Sequence, residues 1–198
     1  LRFLNVANVR TMRLLFKGPQ PWLAALDGQP VPAARLDNGV LELAPGQRAD
    51  LLLDAGSDEV VIGLDLFEET AELCHIRRQG TAGVALVSPG FQLKANPLGT
   101  ALGLDQARSV PVVLQGGAKG GLQKARLNGV ELDLRGLLQQ GKAWAINGEV
   151  GPSQASLGEF ALGSTIVLEI ENQTAFAQPL HLHGHVWQLI EDSSAELK

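Results

Sequence analysis

The sequence predicts an all-β protein, and two features of the chain carry that prediction. The 198 residues include 23 Gly and 10 Pro, so turn-forming residues recur along the whole length. Between them lie short apolar segments, of which "STIVLEIEN" alternates most clearly: Ile166, Leu168 and Ile170 share one face of a strand, with charged residues on the other. Many short strands separated by turns are typical of a β-sandwich or β-barrel.

Five further segments read as strands in the same way: "LRFLNVAN", "GVLELAPG", "RADLLLDA", "EVVIGLDL" and "AGVALVSP". Turn signals separate them at "LDGQP", "APGQ" and "AGSDE". Residues 91–125 show little periodicity and many Gly, which predicts a linker with one short strand at 111–114. The one helix that the pattern supports is short, around "ELDLRGLLQQG", with Gly141 as its stop signal.

Composition excludes several classes of function. The net charge is −5 with no basic run, so the chain has no electrostatic footprint for nucleic acid. No apolar run is long enough to span a bilayer, and Asn5 and Asn8 interrupt any signal-peptide core in the first ten residues. Cys74 is the one cysteine, so an internal disulfide is excluded. A hydrophobic fraction of 45% is sufficient for a packed core.

Three of the four histidines fall in "QPLHLHGHVWQLIE", residues 178–191. If this segment is a regular strand, His181, His183 and His185 project from one face, and Trp187 continues the row. Imidazole suits copper, zinc, nickel or iron, so two or three such side chains can bind one metal or share neighbouring metals. Gly184 would let a metal cluster or another backbone approach closely. The alternative is three hydrogen-bonded histidines on a polar strand face.

Two other stretches have plain structural explanations. In "LCHIRRQGTAGV", Cys74 is expected to be a buried thiol on a strand, and His75 a neighbouring surface residue. Glu68, Glu69 and Glu72 are expected to form a solvated acidic face, although carboxylates can also capture cations.

The histidine segment resembles the H-P-x-H-x-H-G-H signature at the start of the last cupredoxin domain of multicopper oxidases. "WAINGEV" and "LGEFALGSTIVLEIENQTAF" resemble that family's approach to the signature. "LRFLNVANVRTMRLLF", "LAALDGQPV" and "LELAPGQRADLLLDA" resemble its middle domain. The resemblance implies a cupredoxin-like Greek-key β-sandwich or barrel, with one incomplete domain and part of a second. The implied divisions are part of the middle domain at 1–90, a linker region at 91–140, and the N-terminal half of the last domain at 141–198.

The resemblance also implies roles for individual residues. His181 matches a type 2 copper ligand and His183 a type 3 ligand of the trinuclear cluster that reduces dioxygen to water. His185 matches a histidine that orients the site, or is a possible ligand. Gln178 stands where the family has a type 1 copper ligand, and an amide oxygen is a harder, weaker donor than imidazole. The Cys74 motif resembles a decayed copy of the family's late H-C-H motif.

The family's other cluster ligands, H-x-H pairs and a late H-C-H motif, are not found in the sequence. We therefore expect a fragment of a multicopper oxidase that, when intact, oxidises a phenolic, amine or metal-ion donor and reduces dioxygen. Its expected location is periplasmic or extracellular, and missing domains or another copy are its expected partners. Two alternatives stay open: a cupredoxin-fold scaffold that has lost its copper sites, and a mononuclear metal-binding module that uses the three histidines.

Overall fold

The computed structural model describes residues 1–54, 59–80, 90–96, 102–151, 156–185 and 187–193. The chain divides into two compact units, Leu1–Ala101 and Leu102–Lys198. Apart from short 3₁₀ turns at Asp37–Gly39 and Leu104–Gln106, the described residues contain one α-helix and thirteen strands. The prediction of an all-β protein is therefore confirmed. None of the helices in these ranges is long or apolar enough to cross a membrane.

The first unit is a sandwich of two four-stranded sheets. Its strands are β1 (Arg2–Leu4), β2 (Met12–Lys17), β3 (Trp22–Leu26), β4 (Gln29–Arg35), β5 (Val40–Leu43), β6 (Arg48–Leu52), β7 (Val60–Asp65) and β8 (Thr70–Ile76). One sheet has the order β1-β6-β3-β4 and the other β5-β2-β7-β8, and the described pairings are all antiparallel. The chain thus crosses repeatedly between the sheets, as Greek-key folds require.

The core of this unit lies between the two sheets, because both contribute their alternate apolar residues to it. Phe16 from β2 meets the ring of Phe3 from β1 edge to face, with ring centroids 5.7 Å apart. The buried members of the cluster are Leu14, Phe16, Leu36, Leu41, Leu43, Ala49, Leu51, Val60 and Ile62. Three of the strands predicted from the sequence, β5, β6 and β7, supply most of them. The predicted strand at 82–89 lies outside the described residues.

The second unit is built around one long strand. Its elements are β9 (Arg108–Gly116), β10 (Lys124–Leu127), β11 (Val130–Asp133), α1 (Leu134–Gln139), β12 (Trp144–Ile146) and β13 (Ile166–Asn172). β9 is central, with β12 antiparallel on one side and β13 parallel on the other. β10 and β11 form a hairpin, and Leu137 of α1 packs into the small core beneath them with Leu122, Ala125, Ala145 and Val150.

Local sequence explains the regular turns and the helix. Asp27 and Gly28 join β3 to β4 with φ of 50° and 80°, as a two-residue type I′ hairpin turn requires. Asn128 and Gly129 do the same between β10 and β11. α1 begins after Asp133, whose carboxylate accepts a hydrogen bond from the N–H of Gly136. The predicted short helix and its stop at Gly141, where φ is +65°, are confirmed.

The boundary between the units falls at residue 101, within the segment expected to be a linker. The strand predicted at 111–114 is the middle of β9, which extends over nine residues. Residues 108–139 are therefore largely in regular structure and not an unstructured connection. The assignment of 1–90 and 141–198 to a middle and a last cupredoxin domain stays a prediction.

Candidate metal centre

A five-residue turn, 173–177, connects the end of β13 to the histidine segment, so the sheet determines where that turn starts. β13 pairs along its whole length with β9, from Ile166 opposite Arg108 to Asn172 opposite Leu114. The backbone N–H of Gln173 still donates to the carbonyl of Leu114, at 2.9 Å. The chain therefore leaves the sheet immediately after residue 173, from a backbone fixed by the parallel ladder.

A compact turn of side-chain hydrogen bonds follows. The Asn172 Oδ1 accepts from the N–H and the hydroxyl of Thr174, at 3.0 and 2.6 Å, and its Nδ2 donates to the carbonyl of Phe176 at 2.8 Å. The ring of Phe176 contacts that of Trp144 on β12, with centroids 6.1 Å apart. Sequence reasoning did not select Asn172 or Thr174. The available signal was "NQT", since Asn and Thr side chains readily bond the backbone two residues on.

Gln178 is tied into this turn. Its amide Nε2 donates to the Thr174 hydroxyl oxygen at 3.3 Å, and the residue is half-buried. An amide, and not an imidazole, therefore stands at the position where the resemblance puts a type 1 copper ligand. That Gln178 is a degenerate ligand position stays a prediction, because the described residues contain no group of three or more possible metal ligands.

The structure brings His181 and His183 together, but not on a strand. Their imidazole rings meet edge to face, with centroids 6.0 Å apart and planes at 75°, and both residues are exposed. The described residues of 174–193 contain no strand, so the prediction of a histidine strand is wrong. Pro179 has no N–H to give to a sheet, and a tight turn follows the second histidine.

That turn spans Leu182 to His185. The N–H of His185 donates to the carbonyl of Leu182 at 3.3 Å, and Gly184 has φ of +79°, which a type II turn requires at its third residue. Among the described residues, no atom lies within 4 Å of a Cβ added to Gly184, so its left-handed φ serves the turn. His183 and His185 lie on either side of Gly184, where the chain reverses, so their spacing of two residues does not correspond to a strand.

His185 is separated from the other two rings by this turn. Its Nδ1 lies 3.1 Å from the carbonyl oxygen of His183. Because a carbonyl only accepts, Nδ1 carries the hydrogen in this contact. The contact is compatible with both expected roles, since an imidazole that donates from Nδ1 to a carbonyl can restrain the backbone of His183 or bind a metal through Nε2.

The apolar residues of the segment are not packed into a sheet. Leu180 and Leu182 are 48% and 38% exposed, and Trp187 is 47% exposed. With no strand at this position, no sheet face exists for them to cover. Val186 lies outside the described residues.

The donors present fit copper in kind but not in number. Two adjacent imidazoles supply the neutral nitrogen ligands that copper favours. Within the described ranges, however, no group of three or more His, Cys, Asp or Glu side chains could hold a metal ion. His181 and His183 can therefore be part of a copper site, but these residues do not make a complete one.

The Cys74 region lies in the first unit, on the edge strand β8. Cys74 is exposed, so the expectation of a buried thiol is wrong, whereas the strand and the surface position of His75 are as predicted. His75 Nδ1 lies 2.6 Å from Glu59 Oε1, and its Nε2 lies 3.4 Å from Glu72 Oε2. Hydrogen bonds from His75 and from Arg77 hold the pKa of the Glu59 carboxyl below its usual value.

Two features of β8 account for the exposure of Cys74. A β-bulge in β8 opposite Ile62 and Gly63 interrupts the alternation of the strand, and among the described strands β8 pairs with β7 alone. Glu68 and Glu69 are exposed at the turn between β7 and β8, as expected for a solvated acidic face.

Comparison with known proteins connects this geometry to a family. Residues 130–197 match the family model for multicopper oxidases, and none of the curated proteins matches the chain. A laccase-like multicopper oxidase, CueO, from the lignin-degrading bacterium Ochrobactrum sp. shares the fold over 86% of this chain and 37% of its own, with 18% identity and a TM-score of 0.59.

Two further solved structures agree. A multicopper oxidase from Pseudomonas thermotolerans covers 86% of this chain and 36% of its own, with 22% identity and a TM-score of 0.55. A Campylobacter jejuni multicopper oxidase, described as a metallo-oxidase, covers the same shares with 14% identity and a TM-score of 0.51. The chain thus spans just over a third of the length of these proteins. Residues 130–197, which include the histidine segment, thus match the multicopper oxidase family, and the chain shares its cupredoxin-like fold with these oxidases.

Proposed function

We propose that this chain supplies two copper ligands, His181 and His183, to a trinuclear cluster whose remaining ligands come from other segments of a longer multicopper oxidase. The observation that carries the proposal is the proximity of the two imidazoles, whose ring centroids are 6.0 Å apart on an exposed surface. Exposure suits ligands that a further segment must cover. The family match at 130–197 includes both residues.

Copper, when bound, would supply one-electron redox chemistry and the reduction of dioxygen to water. The residues of this chain contribute neutral nitrogen donors and hold them in place. His185 helps by donating from Nδ1 to the carbonyl of His183, which restrains that backbone. The proposed domain roles follow the sequence: 1–90 from a middle cupredoxin domain, 91–140 as the connecting region, and 141–198 from the last domain.

The proposed reaction is the oxidation of a phenolic, amine or metal-ion donor with dioxygen as acceptor. Support for this range comes from the neighbours, one described as laccase-like and active towards lignin model compounds, another as a metallo-oxidase. A periplasmic or extracellular location is proposed on the same grounds, because the similar structures include bacterial multicopper oxidases.

Gln178 favours a second candidate, a cupredoxin-fold scaffold without redox turnover. Its amide nitrogen is committed to Thr174, and an amide is a poor equatorial donor for a type 1 copper. A protein lacking that copper would have no entry point for electrons, whatever the state of the histidine pair.

Copper binding tests the first proposal. The purified chain is titrated with Cu(II) and followed by calorimetry and by EPR for nitrogen coordination. His181→Gln and His183→Gln should each weaken binding by at least about tenfold, since even loss of an outer ligand partner costs that much. His75→Gln, in the other unit, is the matched control and should leave the affinity unchanged. Equal affinity in all variants would contradict the ligand assignment.

Oxygen uptake separates the two candidates. The full-length gene product, loaded with copper, is assayed for dioxygen consumption with a phenol, an aromatic amine and a reduced metal ion. Uptake with any donor that is lost in His183→Gln supports the oxidase. Copper bound without uptake supports the scaffold.

A further inference from the structure

We infer that Thr174 is a positioning residue for the His181–His183 pair and that it acts through Gln178. The inference rests on the proposed copper function and extends it to a residue that touches neither the metal nor its ligands. It gives Gln178 a role that does not depend on its being a failed copper ligand.

The Thr174 hydroxyl is the centre of the turn that precedes the histidines. A hydroxyl has one hydrogen to donate and two lone pairs to accept with. Its oxygen lies 2.6 Å from Asn172 Oδ1 and 3.0 Å from the carbonyl of Phe176, the two acceptors that share its hydrogen. It accepts from the N–H of Phe176 and from Gln178 Nε2, both at 3.3 Å. The hydroxyl is thus fully used.

Both ends of this hydrogen-bond network are held by strands of the sheet. Asn172 is the last residue of β13 and is held opposite Leu114 of β9. Phe176 contacts the ring of Trp144 on β12, and an added Cβ on Gly117 would come within 2.3 Å of that indole, so Gly117 provides the space for it. The turn is therefore attached to both outer strands of the sheet.

The path from Gln178 to the histidines is short and restricted. Pro179 follows directly, with φ locked by its ring, and it also restricts the backbone of Gln178. Two residues lie between Gln178 and His181, so the Cα atoms of these two are at most about 10 Å apart. A displacement of the Gln178 amide is therefore transmitted to the first imidazole and is not absorbed by a flexible linker.

The energy of this arrangement comes from polar contacts and not from burial. Thr174 and Gln178 are half-buried, whereas the residues from Pro179 to His185 are exposed. With little apolar burial in the segment, loss of the hydroxyl removes a main restraint on where the rings lie. We therefore expect the hydroxyl group at position 174, and not the shape of the threonine side chain, to determine where the imidazole rings lie.

The test compares Thr174→Val, which keeps the shape and removes the hydroxyl, with Thr174→Ser, which keeps the hydroxyl. Thr174→Val should weaken Cu(II) binding about threefold to tenfold, the factor equivalent to one net hydrogen bond. Thr174→Ser should restore the wild-type affinity. Thr165→Val, a half-buried threonine just before β13 whose carbonyl accepts from Arg108, is the control and should leave the affinity unchanged.

A measurement without copper keeps this inference separate from the proposed function. In the metal-free chain, the backbone ¹⁵N heteronuclear NOE of residues 174–185 should fall in Thr174→Val and recover in Thr174→Ser. If wild type binds no copper but the NOE follows this pattern, the copper proposal fails and the positioning role stands. If Thr174→Val matches wild type in both NOE and affinity, or if Thr174→Ser fails to restore them, the inference is overturned.

Discussion

The two units of this chain stabilise themselves by different means. The first encloses its core between two sheets, and its most exposed large apolar side chains lie in turns, as Phe67 does at 95%. The second has a smaller core, and apolar residues of both outer strands of its three-stranded sheet are exposed, including Trp144 and Ile170 at 47% and 44%. The unit that carries the candidate copper ligands is the one with less apolar burial, so specific hydrogen bonds have to position them.

The largest effects should come from substitutions in the two cores, and these substitutions test the contrast between the two units. Leu43→Ala in the first unit and Leu137→Ala in the second each remove a side chain that is at most 1% exposed. Each should cost about 3 kcal/mol in the free energy of unfolding, because a cavity adds to the lost burial. Because the two clusters share no residue, amide hydrogen exchange should accelerate only in the unit that carries the substitution.

Faster exchange in both units from either substitution would mean that the cores are coupled. The difference in apolar burial between the two units would then have no consequence for their stability.

A smaller effect is expected at the helix of the second unit. Asp133→Ala removes the carboxylate that accepts from the N–H of Gly136 and should cost about 1 kcal/mol, as loss of an N-cap usually does. Asp133→Asn, which caps equally well, is the control. Urea unfolding followed through the indole N–H NMR signal of Trp144 measures both, and equal losses in the two variants would show that the cap does not hold α1 in place.

The smallest effect is electrostatic and belongs to the first unit. The Arg2 guanidinium, through its hydrogen bonds at 2.6 and 2.9 Å, holds the pKa of Asp50 below its usual value. A lowered pKa in the folded state gives stability that is present above the unfolded pKa and is lost as the pH falls through the folded one. Arg2→Met should therefore raise the pKa of Asp50 and flatten this acid dependence slightly.

Carboxyl ¹³C NMR of Asp50 measures that shift. Arg35→Met is the control, because Arg35 lies over the ring of Trp22 at 4.8 Å and does not contact Asp50 in the structure described. An unchanged Asp50 titration in Arg2→Met would refute the pairing.

The sequence allowed about half of the thirteen described strands to be predicted, because alternation and turn residues act locally. β5, β6, β7 and β13 fall where their segments were expected. The histidine segment shows where this reasoning fails. Its alternation of His and apolar residues is strand-like, yet Pro179 and Gly184 are turn residues, and the turn at Gly184 prevailed. The strand prediction followed the alternation of residue types, although the two turn-forming residues indicated a turn.

The candidate ligands could be selected from the sequence, whereas the contacts that support them could not. Histidine spacing and the family signature select His181 and His183 directly. The hydrogen bonds of Thr174 depend on where β13 ends against β9, and that register is set by tertiary pairing, which no local pattern reveals. The exposure of Cys74 was missed for the same reason, because edge position and bulges are properties of the whole sheet.

The parallel ladder between β9 and β13 also governs the order of folding. Its two strands are separated by every residue from Gly117 to Thr165, so closing that loop is entropically slow and must follow the formation of local hairpins such as β10–β11. The turn at Thr174 has no anchor until the ladder closes. The imidazole pair is thus a late product of folding, and a metal ion that needs both rings in place would meet the chain only after its topology is complete.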